Sequence, residues 1–203
     1  MSEMTLTSVL PAGNQKPPNR PRKRNPFRVA QYAAPSGLGT GLAGRTGSSV
    51  LGKVRTAAKA VIVRNEEILL NHCRAGAVEY YALPGGGQEE GETLEEALQR
   101  ECEEEIGTRV VVQRLLYVRE IVVAHHSFTY LEEAAHQVEH LFECQVPDDY
   151  EPHCGSGSDA QQIAVVWMGA EALAKVRVNP STLRDLLDPA RRDQLPMYWG
   201  DVE

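Results

Sequence analysis

The residues best suited to chemistry in this chain lie in one short run. Arg100-Glu101-Cys102-Glu103-Glu104-Glu105-Ile106-Gly107 follows a glycine turn, Gly85-Gly86-Gly87, and a further acid, Glu92. Glutamate oxygens repeated at i, i+3 and i+4 on a helix suit a hard divalent ion such as Mg²⁺ or Mn²⁺, which takes oxygen ligands. Arg100 supplies one nearby cation, too few to offset Glu101, Glu104 and Glu105 together.

That chemistry requires a helix with a defined start, stop and face. Thr93 followed by Glu96 three residues later forms a capping box. Gly107 is a natural stop, because glycine takes the left-handed position after a helix at little cost. The spacing predicts a helix from about Leu94 to Ile106. On a wheel of about 100° per residue with Leu94 at zero, Leu98, Cys102 and Ile106 mark an apolar face at roughly 40° to 120°. Glu101 falls at about 340° and Glu105 at about 20°, within that face. Glu104 lies at its edge, and Glu96 and Glu103 point to solvent. Like charges at i,i+4 repel, and an unpaired buried carboxylate costs several kcal/mol, on the order of the penalty for any uncompensated buried ion. Glu101 and Glu105 therefore call for a cation.

The stretch resembles the Nudix box, G-x5-E-x7-R-E-U-x-E-E-x-G-U, where U is aliphatic. Gly86, Glu92, Arg100, Glu101, Glu104, Glu105 and Gly107 match at the required spacing. Cys102 and Thr108 depart mildly at the two aliphatic positions, where packing is concerned. Tyr80-Tyr-Ala-Leu-Pro84 resembles the aromatic-x-Leu-Pro-Gly-Gly entry of many Nudix domains, and a looser likeness runs from about Ala57 to the C-terminal region.

The resemblance implies a hydrolase that cuts a phosphoanhydride in a nucleoside diphosphate linked to another group, with Mg²⁺ or Mn²⁺ as cofactor. It implies Glu101, Glu104 and Glu105 as metal ligands, with the Gly86 carbonyl as a further oxygen. Arg100 orients the glutamates, Glu92 anchors the turn through Arg100, and Gly107 is structural to the site. The general base stays open among Glu104, Glu139 and Glu120. Tyr81, His125 and His126 are candidate substrate contacts. The family's downstream markers for ADP-ribose, dinucleoside polyphosphate and NADH substrates are absent, as is the coenzyme A signature before the box. A nucleotide or nucleotide-sugar substrate is expected, with two alternatives: a 5′-end RNA pyrophosphohydrolase that uses a basic arm, and a non-catalytic nucleotide-binding module.

The charge distribution divides the chain. Residues 1–56 hold nine Lys or Arg against one acid, Glu3, a balance of +8; that leaves −15 for the rest of a chain whose total is −7. The first segment is rich in Pro, Gly and Arg, without a helical or strand period, and predicts a disordered extension. It reads first as a dispensable extension, next as an arm for nucleic acid or another anionic surface, and last as an organelle transit peptide. Residues 57–203 form the expected catalytic domain. No apolar run is long enough to span a membrane. Cys73, Cys102, Cys144 and Cys154 show no disulfide-framework spacing and read as reduced thiols of a cytoplasmic protein. Oligomeric state is not legible.

The elements that must position the box follow from periodicity. Strands are expected at 57–63 and 67–72 around a turn at Arg64-Asn65-Glu66. Arg74 to Ala77 reads as a loop. Further strands are expected at 109–124, 138–146 and 162–168, a polar loop at 127–135, and helices at 170–175 and 181–187. Strands with a helix on each side predict an α/β fold, and the resemblance makes it a Nudix-type α/β/α sandwich with a central mixed sheet. His136-Gln-Val-Glu139-His140 also matches an inverted zinc-protease signature. On a strand its two histidines lie about 13 Å apart, too far to share one zinc.

Overall fold

The computed structural model describes residues 54–126 and 136–202. The expectations for residues 1–53, and for the polar loop at 127–135, lie outside the described residues. The first strand, β1, runs Val54–Arg64, three residues earlier than the sequence pattern indicates. Asn65 and Glu66 both take positive φ (53° and 65°), the geometry of a tight two-residue hairpin turn, and lead into β2, Glu67–Ala75. β2 is longer than expected: Arg74 and Ala75 belong to it, and the reversal falls at Gly76 before β3, Val78–Ala82.

The remaining elements are α1 (Leu94–Ile106), β4 (Val111–Val122), a 3₁₀ turn (Val123–His125), β5 (His136–Gln145) and β6 (Gln162–Gly169). They are followed by α2 (Ala170–Leu173), β7 (Val178–Asn179), α3 (Leu183–Leu186), α4 (Pro189–Arg192) and β8 (Tyr198–Asp201). The strands join in the order β7-β3-β2-β1-β5-β4-β8, with β6 on the other edge of β2. The sheet is mixed: β1 with β5, β3 with β7, and β4 with β8 are parallel, the rest antiparallel.

Strand alternation builds a layer on each side of this sheet. Ala58, Ala60, Ile62, Leu69, Phe142 and Cys144 pack against Leu98, Cys102 and Ile106 of α1. Their neighbours Val61, Ile68, Leu70 and Leu141 pack instead with Leu173 of α2 and with Leu183 and Leu186 of α3. The two apolar faces give the expected α/β/α arrangement. The sheet is strongly curled, since Arg119 of β4 reaches Asn179 of β7, nominally at the far edge, with Nη2 2.7 Å from Oδ1. Among the described residues no helix is long and apolar enough to cross a membrane.

One irregularity positions the box. β1 and β2 pair only next to their turn, at Val63–Ile68 and Arg64–Glu67. Where β2 splays away, the glycine turn takes its place on β1. The Ala60 N–H donates to Pro84 O (2.8 Å), the Ala58 N–H to Gly86 O (3.0 Å), and the Gln88 N–H to Thr56 O (2.9 Å). The turn that precedes α1 is thereby fixed as an extra edge on the sheet.

Candidate active site

α1 carries the capping box as the sequence predicts. The Glu96 N–H donates to Thr93 Oγ1 (3.2 Å), and the Thr93 N–H donates back to Glu96 Oε2 (2.8 Å). Gly107 closes the helix at φ 68°. The last turn of α1 is also capped from outside, by the segment that leads into β6. Three of the carbonyls that a helix end leaves without intrahelical donors find partners there. Gly157 N–H donates to Glu104 O (3.1 Å), Gly155 N–H to Glu105 O (2.9 Å), Gln162 Nε2 to Glu105 O (2.7 Å) and Tyr150 OH to Ile106 O (2.8 Å). The helix is held at both ends, so its side chains project at set positions.

Arg100 occupies the centre of the acid group. Its Nε and Nη2 straddle the Glu92 carboxylate at 2.7 and 3.0 Å, Nη1 binds Glu101 Oε1 at 2.8 Å, and Nη2 also donates to Gly87 O at 3.0 Å. Glu104 Oε2 lies 3.6 Å from the same Nη1. The Arg100 hydrogen bonds first, and the Glu89 N–H second, hold Glu92 down at about 2. The arginine therefore ties the turn (Gly87), its far end (Glu92) and the helix (Glu101) into one unit.

Glu105 is turned toward the sheet. Its Oε2 accepts from the Gly85 N–H (2.7 Å) and from Asn71 Nδ2 (2.8 Å). Burial pushes its carboxyl up, against the opposing pull of Lys59, the Gly85 N–H and Asn71. Lys59 is itself buried and donates to Gly85 O. Gly86 lies against Glu101: a Cβ there would sit 2.5 Å from the Glu101 carboxyl carbon and would displace that side chain. Glu101, Glu105 and the three glycines line one cavity of about 530 Å³, together with Arg55, Lys59, Asn71, Tyr80 and Gln137. The helix wheel placed Glu101 and Glu105 inward, and both reach this cavity. Glu104, predicted at the edge, is 46 % exposed and does not line it.

The other expected site residues lie elsewhere. Tyr81 stacks on His72 (centroids 4.4 Å apart, 12° between planes) away from the cavity, and its neighbour Tyr80 takes the inward place. Strand alternation reverses the assignment. His125 Nδ1 and His126 Nε2 pair with the two oxygens of Asp201, at 2.7 and 2.5 Å, and pin β8 to the end of β4. Glu139 is 1 % exposed, paired with the equally buried Arg119 (2.6 Å) and accepting from Gln137 Nε2 (2.8 Å). Glu120 binds Tyr198 OH (2.5 Å) and His136 (2.6 Å). Neither of these two lines the cavity. His136 and His140 stand on a strand, as expected, so the protease signature lacks its helix.

Sequence reasoning missed Arg55, Lys59, Asn71 and Gln162. Lys59 and Asn71 did leave a signal: each is a polar residue inside an otherwise apolar buried strand run.

The oxygen-only donor set fits a divalent cation. Glu105 is a carboxylate pushed up first by burial and last by the like charge of Glu101, whose carboxylate lies against Gly86. As they stand the carboxylates do not converge: Arg100 lies between Glu101 and Glu104, and among the described residues no three His, Cys, Asp or Glu side chains form a ready-made cluster.

Comparison with known proteins places this geometry. A UDP-X diphosphatase structure is 24% identical, with 77% of this chain and 71% of that chain covered at a TM-score of 0.52. A MutT protein from Methanosarcina mazei Go1 is 21% identical over 72% and 97% of the two chains, TM-score 0.52. A Nudix hydrolase from Nitrosomonas europaea is 20% identical over 74% and 78%, TM-score 0.53. These likenesses show a shared fold. A search of curated proteins gave no match. The model of the NUDIX domain matches residues 53–188, well over half of the chain. With that match spanning the glycine turn, the capped helix and the Arg100 clamp, the chain belongs to the Nudix family and is a Nudix hydrolase.

Proposed function

We propose that this protein hydrolyses a phosphoanhydride bond in a nucleoside diphosphate derivative, of nucleotide or nucleotide-sugar type, with Mg²⁺ or Mn²⁺. The supporting observation is that α1 delivers Glu101 and Glu105 to one cavity beside the glycine turn, while Arg100 is already clamped by Glu92. In this reading Glu101, Glu104 and Glu105 hold the metal, with the Gly86 carbonyl, whose second lone pair remains after the Ala58 N–H, as a further oxygen. When bound, the ion neutralises phosphate charge and acidifies water at the site.

The chain's own residues do the rest. Arg100 keeps Glu101 aimed and limits repulsion between Glu101 and Glu104. Gly85 N–H and Asn71 fix Glu105. Of the three carboxylates raised as base, Glu104 is the one beside the Arg100–Glu101 pair with open solvent access, and we assign proton abstraction from the attacking water to it. Glu139 and Glu120 serve structure. The strand residues and the glycine turn that line the cavity receive the diphosphate.

The test is identification of the two phosphorylated products (nucleoside monophosphate and its phosphorylated partner or pyrophosphate) from a panel of nucleoside diphosphate sugars, ADP-ribose, nucleoside triphosphates, and capped or triphosphorylated RNA, with Mg²⁺, Mn²⁺ or EDTA. Metal-dependent turnover of a diphosphate derivative is expected. Turnover of RNA ends alone would reassign the substrate, and tight nucleotide binding without turnover would make this a binding module.

A further inference from the structure

The cavity carries three carboxylates, Glu101, Glu105 and Asp159, and a diphosphate entering it needs a cation with unspent hydrogen bonds. One nearby cation is committed, and a second is buried with one of its three donors engaged. Arg100 is spent on Glu92, Glu101 and Gly87 O. Lys59 is buried and donates to Gly85 O. Arg55 is different. It lines the same cavity from the exposed N-terminal end of β1, and it has no hydrogen-bond or ion-pair partner among the described residues.

Its placement is tied to the site. A Cβ on Gly87 would come within 2.6 Å of Arg55 Nη2, so the guanidinium rests directly against the glycine turn. The carbonyl of that same Gly87 is held by Arg100 at 3.0 Å, and Gly86, one residue earlier, lies against the Glu101 carboxylate. Arg55 therefore stands on the glycine turn beside the acids, with no described residue engaging its five donors. At the opposite end of the cavity, across β2, Tyr80 OH donates to Gln161 Oε1 at 3.1 Å, and Asp159 lies beside them. That end presents hydrogen-bonding groups and an aromatic edge, and an acid in place of a cation.

We propose that Arg55 is the phosphate-binding residue of this cavity: it grips the diphosphate on the Gly87 side of Glu101 and Glu105, and the uncharged part of the substrate lies toward Tyr80 and Gln161. A planar guanidinium matches two phosphate oxygens at once, and charge-assisted pairs of this kind are the strong ones. The orientation deepens the diphosphate-hydrolase reading, on which it rests.

The test uses the full chain with Mg²⁺ and inorganic pyrophosphate as the probe, followed by calorimetry and by inhibition of turnover. Arg55→Gln is compared with Arg55→Lys and with Arg109→Gln, a control whose partner, Glu103, is on the solvent face of α1. Arg55→Gln is expected to weaken pyrophosphate binding about tenfold or more, the scale of one lost charge-assisted pair. Arg55→Lys should recover part of it, and Arg109→Gln should match the wild type. KM for whichever panel substrate turns over should rise in Arg55→Gln more than kcat falls. Pyrophosphate binding in Arg55→Gln within twofold of the wild type, or none in the wild type at millimolar concentration, overturns the proposal. Arg55-dependent pyrophosphate binding in a wild type that hydrolyses nothing on the panel would uphold the anion site and sink the hydrolase reading instead.

Discussion

Arg100 shows how one side chain organises several backbones. It binds both oxygens of Glu92, one oxygen of Glu101 and the Gly87 carbonyl. Removing it leaves Glu101 and Glu104 without their nearest cation. Arg100→Ala should lower both kcat and melting temperature, and added Mg²⁺ should restore part of the melting temperature by binding the folded state. An unchanged melting temperature with and without Mg²⁺ would contradict this. Glu92 gives the matching pH prediction. Its pKa is depressed from the ordinary 4.5 to about 2, so it contributes stability above about 4.5 that is lost as pH falls toward 2. Glu92→Gln should be less stable than the wild type at neutral pH, and the two melting curves should converge near pH 2. Parallel curves over that window would mean that Arg100 does not hold Glu92 in solution.

At the scale of elements, α1 was the most legible part of the chain. Its bounds, its capping box and its apolar face all follow from residue types, because they depend on contacts within about four positions. The same locality explains what was not legible. The external cap on α1 comes from residues some fifty positions away, and no periodicity announces it. β7 and β8 have two and four residues, too short to carry a period. The Asp201 partners that hold His125 and His126 lie far along the chain, so the histidines read as free for substrate. Gly155 tests the external cap. A Cβ there would collide with Glu104 O and sit 2.7 Å from Glu103 O, and both atoms are backbone. Gly155→Ala should displace the capping segment, lower stability by about 1–3 kcal/mol through the lost carbonyl partners, and raise KM, since Gly157 and Asp159 line the cavity. Chemical denaturation and steady-state kinetics read the two effects. Unaltered values would show that the segment does not cap the helix.

Across the whole molecule, the curl of the sheet is fixed by a buried polar knot. Arg119 of β4 pairs with Glu139 of β5, reaches Asn179 of β7, and donates to Val202 O (3.3 Å) beyond β8. An ion pair this dry is costly to break from one side, because the other charge stays buried. Glu139→Gln should destabilise the fold by about 3–5 kcal/mol, while the variant that remains folded at low temperature keeps near-normal kcat. Full stability with kcat lost would return Glu139 to the role of general base. Removal of residues 1–52 should leave melting temperature and small-substrate turnover unchanged, since the NUDIX match starts at residue 53 and β1 at Val54. A collapsed melting temperature would make that segment part of the domain.

The central claim is that carboxylates on the inward face of α1 serve metal-dependent hydrolysis, and a comparison of two isosteric changes on the same helix tests it most directly. Glu105→Gln removes a charge inside the cavity; Glu103→Gln removes one on the solvent face, from an exposed pair with Arg109. Measured as Mg²⁺-dependent kcat on the best panel substrate, Glu105→Gln should fall about a thousandfold, the scale of a few kcal/mol of lost transition-state stabilisation. Glu103→Gln should stay within about twofold of wild type, as expected for a weak surface pair. The metal-free Glu105→Gln protein should be at least as stable as the wild type, because burial already disfavours the Glu105 charge. Full activity in Glu105→Gln, or equal losses in both variants, would contradict the account.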